Sequence, residues 1–384
     1  FILALIFVFS FGLRVTISLD LLKNDIQVSA PSGATDMATY MELSHKIADG
    51  TYAQPFYYQP FYYAVFLSSI IFIFGKNILF VLVAQSFISS LTILFAGLSA
   101  AMLRGKKAGI YTSVMLAFSS SLCLYVPYHL IETLQAFWLA LISYSAIIAL
   151  KRGKTLLWVL LGLLTSFAIL SRGNVWFFVP GILFAAFISG RVKSVRSSMI
   201  FPMAFFLAVI LPQLPFAYWN YMKTSQLSGA STAAGAVLGL GNTPEAPPGG
   251  RNPGTGPGPM EYPETYMEWS SHQDQISMTK RIYSWAITQP LAFIELQLRK
   301  ILLFWDHREI PNNIAFEHNG KKSLTWRVFA FIPSSVLISG FLSWFFFKIF
   351  YGIKSRKLSM KRISLARPIA LNTYFVIVYC LATA

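Results

Sequence analysis

Runs of about 20 apolar residues recur along most of the chain, and each is long enough as a helix to cross about 30 Å of hydrocarbon. They fall at 1–18, 78–103, 110–126, 130–150, 155–170, 175–189, 199–216, 326–350 and from 369 onward. Their apolar character is continuous, without the period-two alternation of a membrane strand, and an isolated strand would leave backbone groups unpaired in lipid. The pattern predicts an all-α polytopic membrane protein with about nine or ten membrane helices. A further apolar stretch, 60–75, is read as an interfacial or re-entrant helix, because a full crossing there would upset the parity of the helices around it.

Between 217 and 325 the pattern changes. Residues 229–263 are dense in Gly and Pro, including GNTPEAPPGGRNPGTGPGPMEYP, a composition that cannot hold regular helix or strand and predicts a flexible loop, either a linker or a lid. After it, the spacing of Ile276, Ile282, Trp285 and Ile287, then Leu296, Ile301 and Phe304, predicts two amphipathic helices within 266–305, lying on the outer membrane surface. The chain divides into a membrane module at 1–216 with a first exterior loop at 19–59, an exterior region at 217–325, and C-terminal membrane helices at 326–384. No internal repeat is visible, which weighs against a transporter of symmetric halves.

Composition agrees: 55% of the 384 residues are hydrophobic and 12% charged, against about 25% charged in soluble chains. The net charge of +16 would suggest nucleic acid in a soluble protein, but its distribution excludes that partner. Four short connections carry only bases: Arg104, Lys106 and Lys107; Lys151, Arg152 and Lys154; Arg191, Lys193 and Arg196; and the stretch from Lys354 to Arg367. The positive-inside rule places them in the cytoplasm. With Lys348 that side holds 16 bases and no acid, and the opposite face is neutral. Cys123 and Cys380 lie far apart in apolar runs and imply neither a disulfide framework nor a metal cluster. The chain starts at Phe1 and stops at Ala384 inside an apolar run, so both ends are expected to continue, and the lack of a signal peptide carries no weight.

This topology brings a set of polar residues to one exterior face. Asp36, in GATDMATY, reads either as a general base for an attacking hydroxyl or amine or as a helix N-cap. Glu132 opens a helix after PYHLI, as a dipole partner or as an acceptor that orients substrate hydroxyls or a basic group. His129 is placed one turn before it on the same face, or is a plain interfacial residue. Arg172, in the turn SRGN, offers a guanidinium fork suited to phosphate, or else snorkels to headgroups. Arg299 and Lys300, in QLRKILLFW, form a second exterior basic pair for phosphate or for lipid headgroups. The aromatic run in 52–63 reads as an interface belt or a groove lining. No DxD, CxxC, HExxH, Walker or GxGxxG motif occurs, and neither metal nor nucleotide is expected.

The order of these segments resembles a known family. Arg14, the first loop with Asp36, Tyr40 and MELSHKIADG, then QPFYYAVFLSSIIFIFG, PYHLIETLQAFWLAL, SRGNVWFFVP, PQLPFAYWNY, SGASTAAGAVLGLGNTPEAPPGG and LRKILLFWDHREIPNN together resemble the bacterial GT-C membrane glycosyltransferases of the family that includes protein O-mannosyltransferases and the lipid A aminoarabinose transferase. The resemblance implies a GT-C fold and an inverting, metal-independent transfer from a polyprenyl-phosphate sugar, with no cofactor beyond that donor. The acceptor would be a lipid, glycan or protein, and the face periplasmic or exoplasmic, in a bacterial inner membrane. It places Asp36 as base, Glu132 as the acid that opens a helix, and Arg172 on the donor phosphate. Tyr40, Asn174 and His129 are grouped with Arg172, Lys300 and Arg299 as substrate-binding. The pair Asp36-Met37 stands where the mannosyltransferases tend to carry paired acids, which puts a protein acceptor in doubt. A carrier without covalent chemistry is the alternative, and it should show ionisable groups along a path near the bilayer centre. A non-catalytic scaffold is a third reading.

Overall fold

Long runs of Leu, Ile, Val and Phe with most of their charges at the ends build the helices of the computed structural model, which describes residues 1–33, 35–248, 262–271, 277–306, 313–352 and 360–383. The membrane part begins with α1 (Ile2–Asn24), followed by α2 (Asp36–Ala48) in the first loop and α3 (Phe61–Phe74). Next come α4 (Ile78–Arg104), α5 (Lys106–Ala117), α6 (Ser120–Leu124), α7 (Glu132–Arg152) and α8 (Thr155–Ser171). Then follow α9 (Gly173–Lys193) and α10 (Val195–Thr224). The stretch 217–325 carries α11 (Ala234–Gly241), α12 (Met278–Thr288) and α13 (Pro290–Phe304). The chain re-enters the bundle with α14 (Leu324–Phe329), α15 (Ser334–Gly352) and α16 (Met360–Thr383). Five of these, α1, α4, α7, α9 and α10, are long and apolar enough to cross a membrane. The chain is an integral membrane protein of all-α architecture.

Helices consecutive in the chain pack in pairs, α4 with α5, α7 with α8 and α9 with α10, while α4 also packs on α1 and α7, α8 on α10, and α16 against α9. Small residues set the closest crossings, as they must where helices meet in lipid. A Cβ on Gly109 would lie 2.7 Å from both the Ala101 Cβ and the Gly97 carbonyl. Gly153 closes α7 in the left-handed region, at φ 55, and turns the chain into α8.

Two expected crossings are not single helices. The run 110–126 breaks after Ala117, and 326–350 breaks between Phe329 and Ser334. At 12 residues α5 rises about 18 Å, so its end lies at membrane depth, where every backbone group needs an internal partner. The two breaks supply each other's. The Ser120 amide donates to the Ile332 carbonyl at 2.9 Å, and the Ile332 amide donates to the Phe118 carbonyl at 3.1 Å. The Trp326 indole caps the Ser120 carbonyl at 3.0 Å.

Arg14 serves the same break. Fully buried in α1, it donates to the Leu116 and Ala117 carbonyls, both at 3.3 Å, and to Ser89 Oγ at 2.7 Å. A cation is thereby set against the negative end of α5. Arg14→Leu is expected to lower stability by about 2 kcal/mol, read as a drop in thermal unfolding temperature in detergent. An unchanged midpoint would refute the capping role.

The stretch 60–75 holds the helix α3, which at Phe61–Phe74 is shorter than the five long apolar helices. It lies beside α2, with Tyr62 and Tyr63 against Tyr40 at one end and Lys76 paired with Asp49 at 2.7 Å at the other. The chain then enters α4 directly after Lys76. Tyr62 and Tyr63 are fully buried, and these rings are core walls rather than an interface belt.

Within 217–325, the stretch expected to be irregular contains α11. Its Gly239 packs against Met278 so closely that a Cβ would come within 2.7 Å of the thioether sulfur. Just before it, Thr232 and Ala233 donate their amides to the Phe56 and Tyr57 carbonyls, both at 3.0 Å. The remainder of that stretch at 249–261, like Ile276 and the basic connection at 353–359, lies outside the described residues. On α13, Leu291, Ile294, Leu298 and Leu302 form one exposed apolar stripe, the face an interfacial helix lays on a membrane.

The segment after 313 braces the first loop. Buried Asp25 accepts from Tyr128 Oη at 2.7 Å, Asn319 Nδ2 at 2.6 Å and Lys322 Nζ at 3.0 Å. Asp20 accepts from Ser323 and Thr325.

Candidate active site

The α7–α8 hairpin returns the chain to the face where α7 began, so the first residue of one helix meets the residue that ends the other. Arg172 leaves α8 with extended backbone, φ −153 and ψ 118, which frees its side chain from the helix. Its Nη1 lies 3.6 Å from Glu132 Oε1, both side chains being about two-fifths exposed. Trp138 on α7 donates its indole N–H to Ser171 Oγ at 3.0 Å and holds the two ends together.

Tyr40 stands beside this pair, buried from α2. Burial first, and then the charges of Asp36 and Glu132, push its hydroxyl well above the usual phenol range. Burial works against the Arg172 charge, but Tyr379, Glu132, Tyr40 and Asp36 outweigh it, so the guanidinium stays protonated. These mutual influences place Asp36, Tyr40, Glu132 and Arg172 in one electrostatic neighbourhood. The N-cap of α2 is Thr35, and Asp36 is its first helical residue. Asn313 grips Asp36 from both sides: its Nδ2 donates to Oδ2 at 3.0 Å, and its Oδ1 accepts from the Asp36 amide at 3.0 Å.

The other expected residues are dispersed. Asn174 follows Arg172 by two positions, with its Oδ1 buried and without a partner among the described residues. His129 is not on the face of Glu132, because α7 starts only at Glu132 and the chain before it turns. It lines a small cavity with Ser44, His45, Leu67 and Val81 instead, and burial, then His45, lower its pKa to about 4. Lys300 and Arg299, adjacent on α13, point apart. Arg299 is exposed and pairs with Glu295 at 2.5 Å, whereas Lys300 is buried and donates to Asn242 Oδ1 at 3.1 Å. Burial lowers the Lys300 ammonium to about 8. Asn313 and Asp25 were not among the expected residues. Asn313 closes the segment LRKILLFWDHREIPNN without being singled out in it, Asp25 lies in no quoted segment, and the side-chain partners of both lie far away in sequence.

Below the Arg172 end of the bundle, a cavity of about 440 Å³ opens between α9 and α16, lined by Leu150, Pro180, Gly181, Phe184, Leu371 and Tyr374. Its walls are almost wholly apolar.

Residues 58–219 match the family model of dolichyl-phosphate-mannose-protein mannosyltransferase. The match supports a glycosyltransferase of the GT-C kind. No curated protein and no solved structure matches the chain. The matched part of the chain holds His129, Glu132, Arg172 and Asn174, while Asp36 and Tyr40 precede it and Arg299 and Lys300 follow.

Proposed function

We propose that this glycosyltransferase moves a sugar from a polyprenyl-phosphate donor to a lipid, glycan or protein acceptor, with inversion and without a metal, at the periplasmic face of a bacterial inner membrane. The observation that carries the reading is the meeting of Asp36, Tyr40, Glu132 and Arg172 at one end of the bundle, an acid and a cation within a single neighbourhood. The donor phosphate sits at Arg172, and its prenyl tail runs into the apolar cavity between α9 and α16.

The acceptor hydroxyl or amine attacks the anomeric carbon from the side opposite the phosphate. As the new bond forms, the bond from that carbon to the phosphate oxygen breaks and its electron pair stays on the phosphate. The acceptor proton passes to the Asp36 carboxylate. Polyprenyl phosphate needs charge stabilisation as it leaves more than it needs a proton, and Arg172 supplies it. Glu132 positions Arg172 through their ion pair.

A carrier would use ionisable groups along the bundle interior. Arg14, buried in the middle of α1, is taken up in capping α5 instead.

The test is transfer from a panel of polyprenyl-phosphate sugars by the protein reconstituted in liposomes, with the anomeric configuration of the product read by NMR. Inverted product is expected, and Arg172→Ala should lower donor use on the order of 10²-fold. No transfer from any donor by the inserted wild type, or a retained configuration, would overturn the proposal.

A further inference from the structure

Buried polar atoms in folded proteins are almost always hydrogen-bonded, yet four around the Arg172–Glu132 pair have no partner among the described residues. They are Glu132 Oε2, Gln135 Oε1 and Nε2, and Asn174 Oδ1. Gln135 is only 2% exposed. It lies one helical turn after Glu132 on α7, and positions i and i+3 share a helix face, so Gln135 belongs to the face from which Glu132 meets Arg172. Asn174 belongs to the short 3-10 turn Gly173–Phe177 that follows Arg172.

The chemistry of these atoms is one-sided. Three of the four are acceptors, and the fourth is an amide donor. A phosphate offers acceptor oxygens and would be repelled by the three, whereas it suits the Arg172 guanidinium. Hydroxyl groups both donate and accept, and a polyhydroxylated ring can satisfy several such atoms at once. The cluster therefore divides into a cationic part for phosphate and an acceptor-rich part for hydroxyls.

Resting on the donor reading above, we infer that Gln135, with Asn174 and the free oxygen of Glu132, binds the hydroxyls of the donor sugar, and that Gln135 is a specificity-determining residue. The donor rather than the acceptor is assigned here because Gln135 lies a turn deeper into the bundle than Glu132. A lipid-linked sugar reaches that depth from the membrane, while Asp36, on the exterior loop, faces the acceptor.

The experiment measures binding of two probes to the protein in nanodiscs: the polyprenyl-phosphate sugar that the wild type holds most tightly from a panel of hexoses and pentoses, and sugar-free polyprenyl phosphate of the same chain length. Gln135→Met keeps the side-chain length and apolar packing, and Asn174→Ala tests the rim without touching α7. Each is expected to weaken the sugar-bearing lipid about tenfold or more and to leave the sugar-free lipid unchanged, whereas Arg172→Ala weakens both. Equal loss on both lipids, or no loss on either, would overturn the inference. Unchanged donor binding with a raised KM for the acceptor would also overturn it, and would assign these atoms to the acceptor. A wild type that gains no affinity from the sugar sinks the inference alone, while one that binds neither lipid sinks the donor reading itself.

Discussion

Asp36→Asn is expected to lower the turnover number for sugar transfer by about 10²–10⁴-fold while leaving donor binding nearly unchanged. The substitution keeps the shape of the side chain and both contacts with Asn313, since an asparagine oxygen still accepts from Nδ2 and the backbone amide still donates to Oδ1. What it removes is the ability to take up a proton. Because the donor phosphate is assigned to Arg172 across the site, affinity for the polyprenyl-phosphate sugar should survive. Single-turnover assays on the inserted variant separate the two quantities. Full transfer would eliminate Asp36 as base, and lost donor affinity would move it into the binding role.

Asp25→Leu is expected to destabilise the protein by about 3 kcal/mol, the largest stability loss among the changes considered. Asp25 is 1% exposed and takes hydrogen bonds from Tyr128, Asn319, Lys322 and the Gln27 amide. Removing it strands a lysine charge and several donors in a site built around a carboxylate. Burial alone would raise its pKa, but these donors outweigh burial and hold the carboxyl below its ordinary 3.8. A lowered folded pKa means the folded state binds the proton less readily than the unfolded one. The stabilisation is therefore complete above the ordinary value and is lost as pH falls through the lowered one. Thermal unfolding in detergent should show a large drop for Asp25→Leu at neutral pH, shrinking below about pH 4 as the wild type loses the same contribution. A constant difference across that range would refute the electrostatic account. Asp25 lies in the first loop, 11 residues before Asp36, so its loss should loosen the segment that delivers the base.

Much of the helix layout was legible because long apolar runs obey length rules that act locally. Glu132 and Arg172 could be placed on one face from hairpin parity alone, and the structure brings them within 3.6 Å. The helix breaks at Phe118 and near Ile332 do leave a trace, three serines at 119–121 and Pro333 with two serines after Ile332, set inside runs otherwise apolar enough to pass for single helices. What was not legible is that each break finds its partner about 200 residues away. The Asn313 grip on Asp36 and the Lys322 pairing with Asp25 are hidden for the same reason. His129 was misplaced because helical spacing was extended across a turn that precedes α7. Arg299 and Lys300 looked like one basic pair, but neighbours on a helix diverge by about 100°, so one meets solvent and the other the interior. Gln135 gave no signal, being one amide among apolar neighbours. Only its lack of a partner marks it out.

The bridge between Ser119 and Ile332 also bears on how the chain is made. At about 5–20 residues per second, the ribosome needs roughly 10–40 s after Ser119 before Ile332 can reach it. During that interval the amide of Ser120 and the carbonyl of Phe118 must borrow water, lipid headgroups or the insertion machinery as temporary companions. Biogenesis is thus a late-closing process in this protein, and nascent chains arrested before Ile332 should be preferred prey for membrane quality-control proteases.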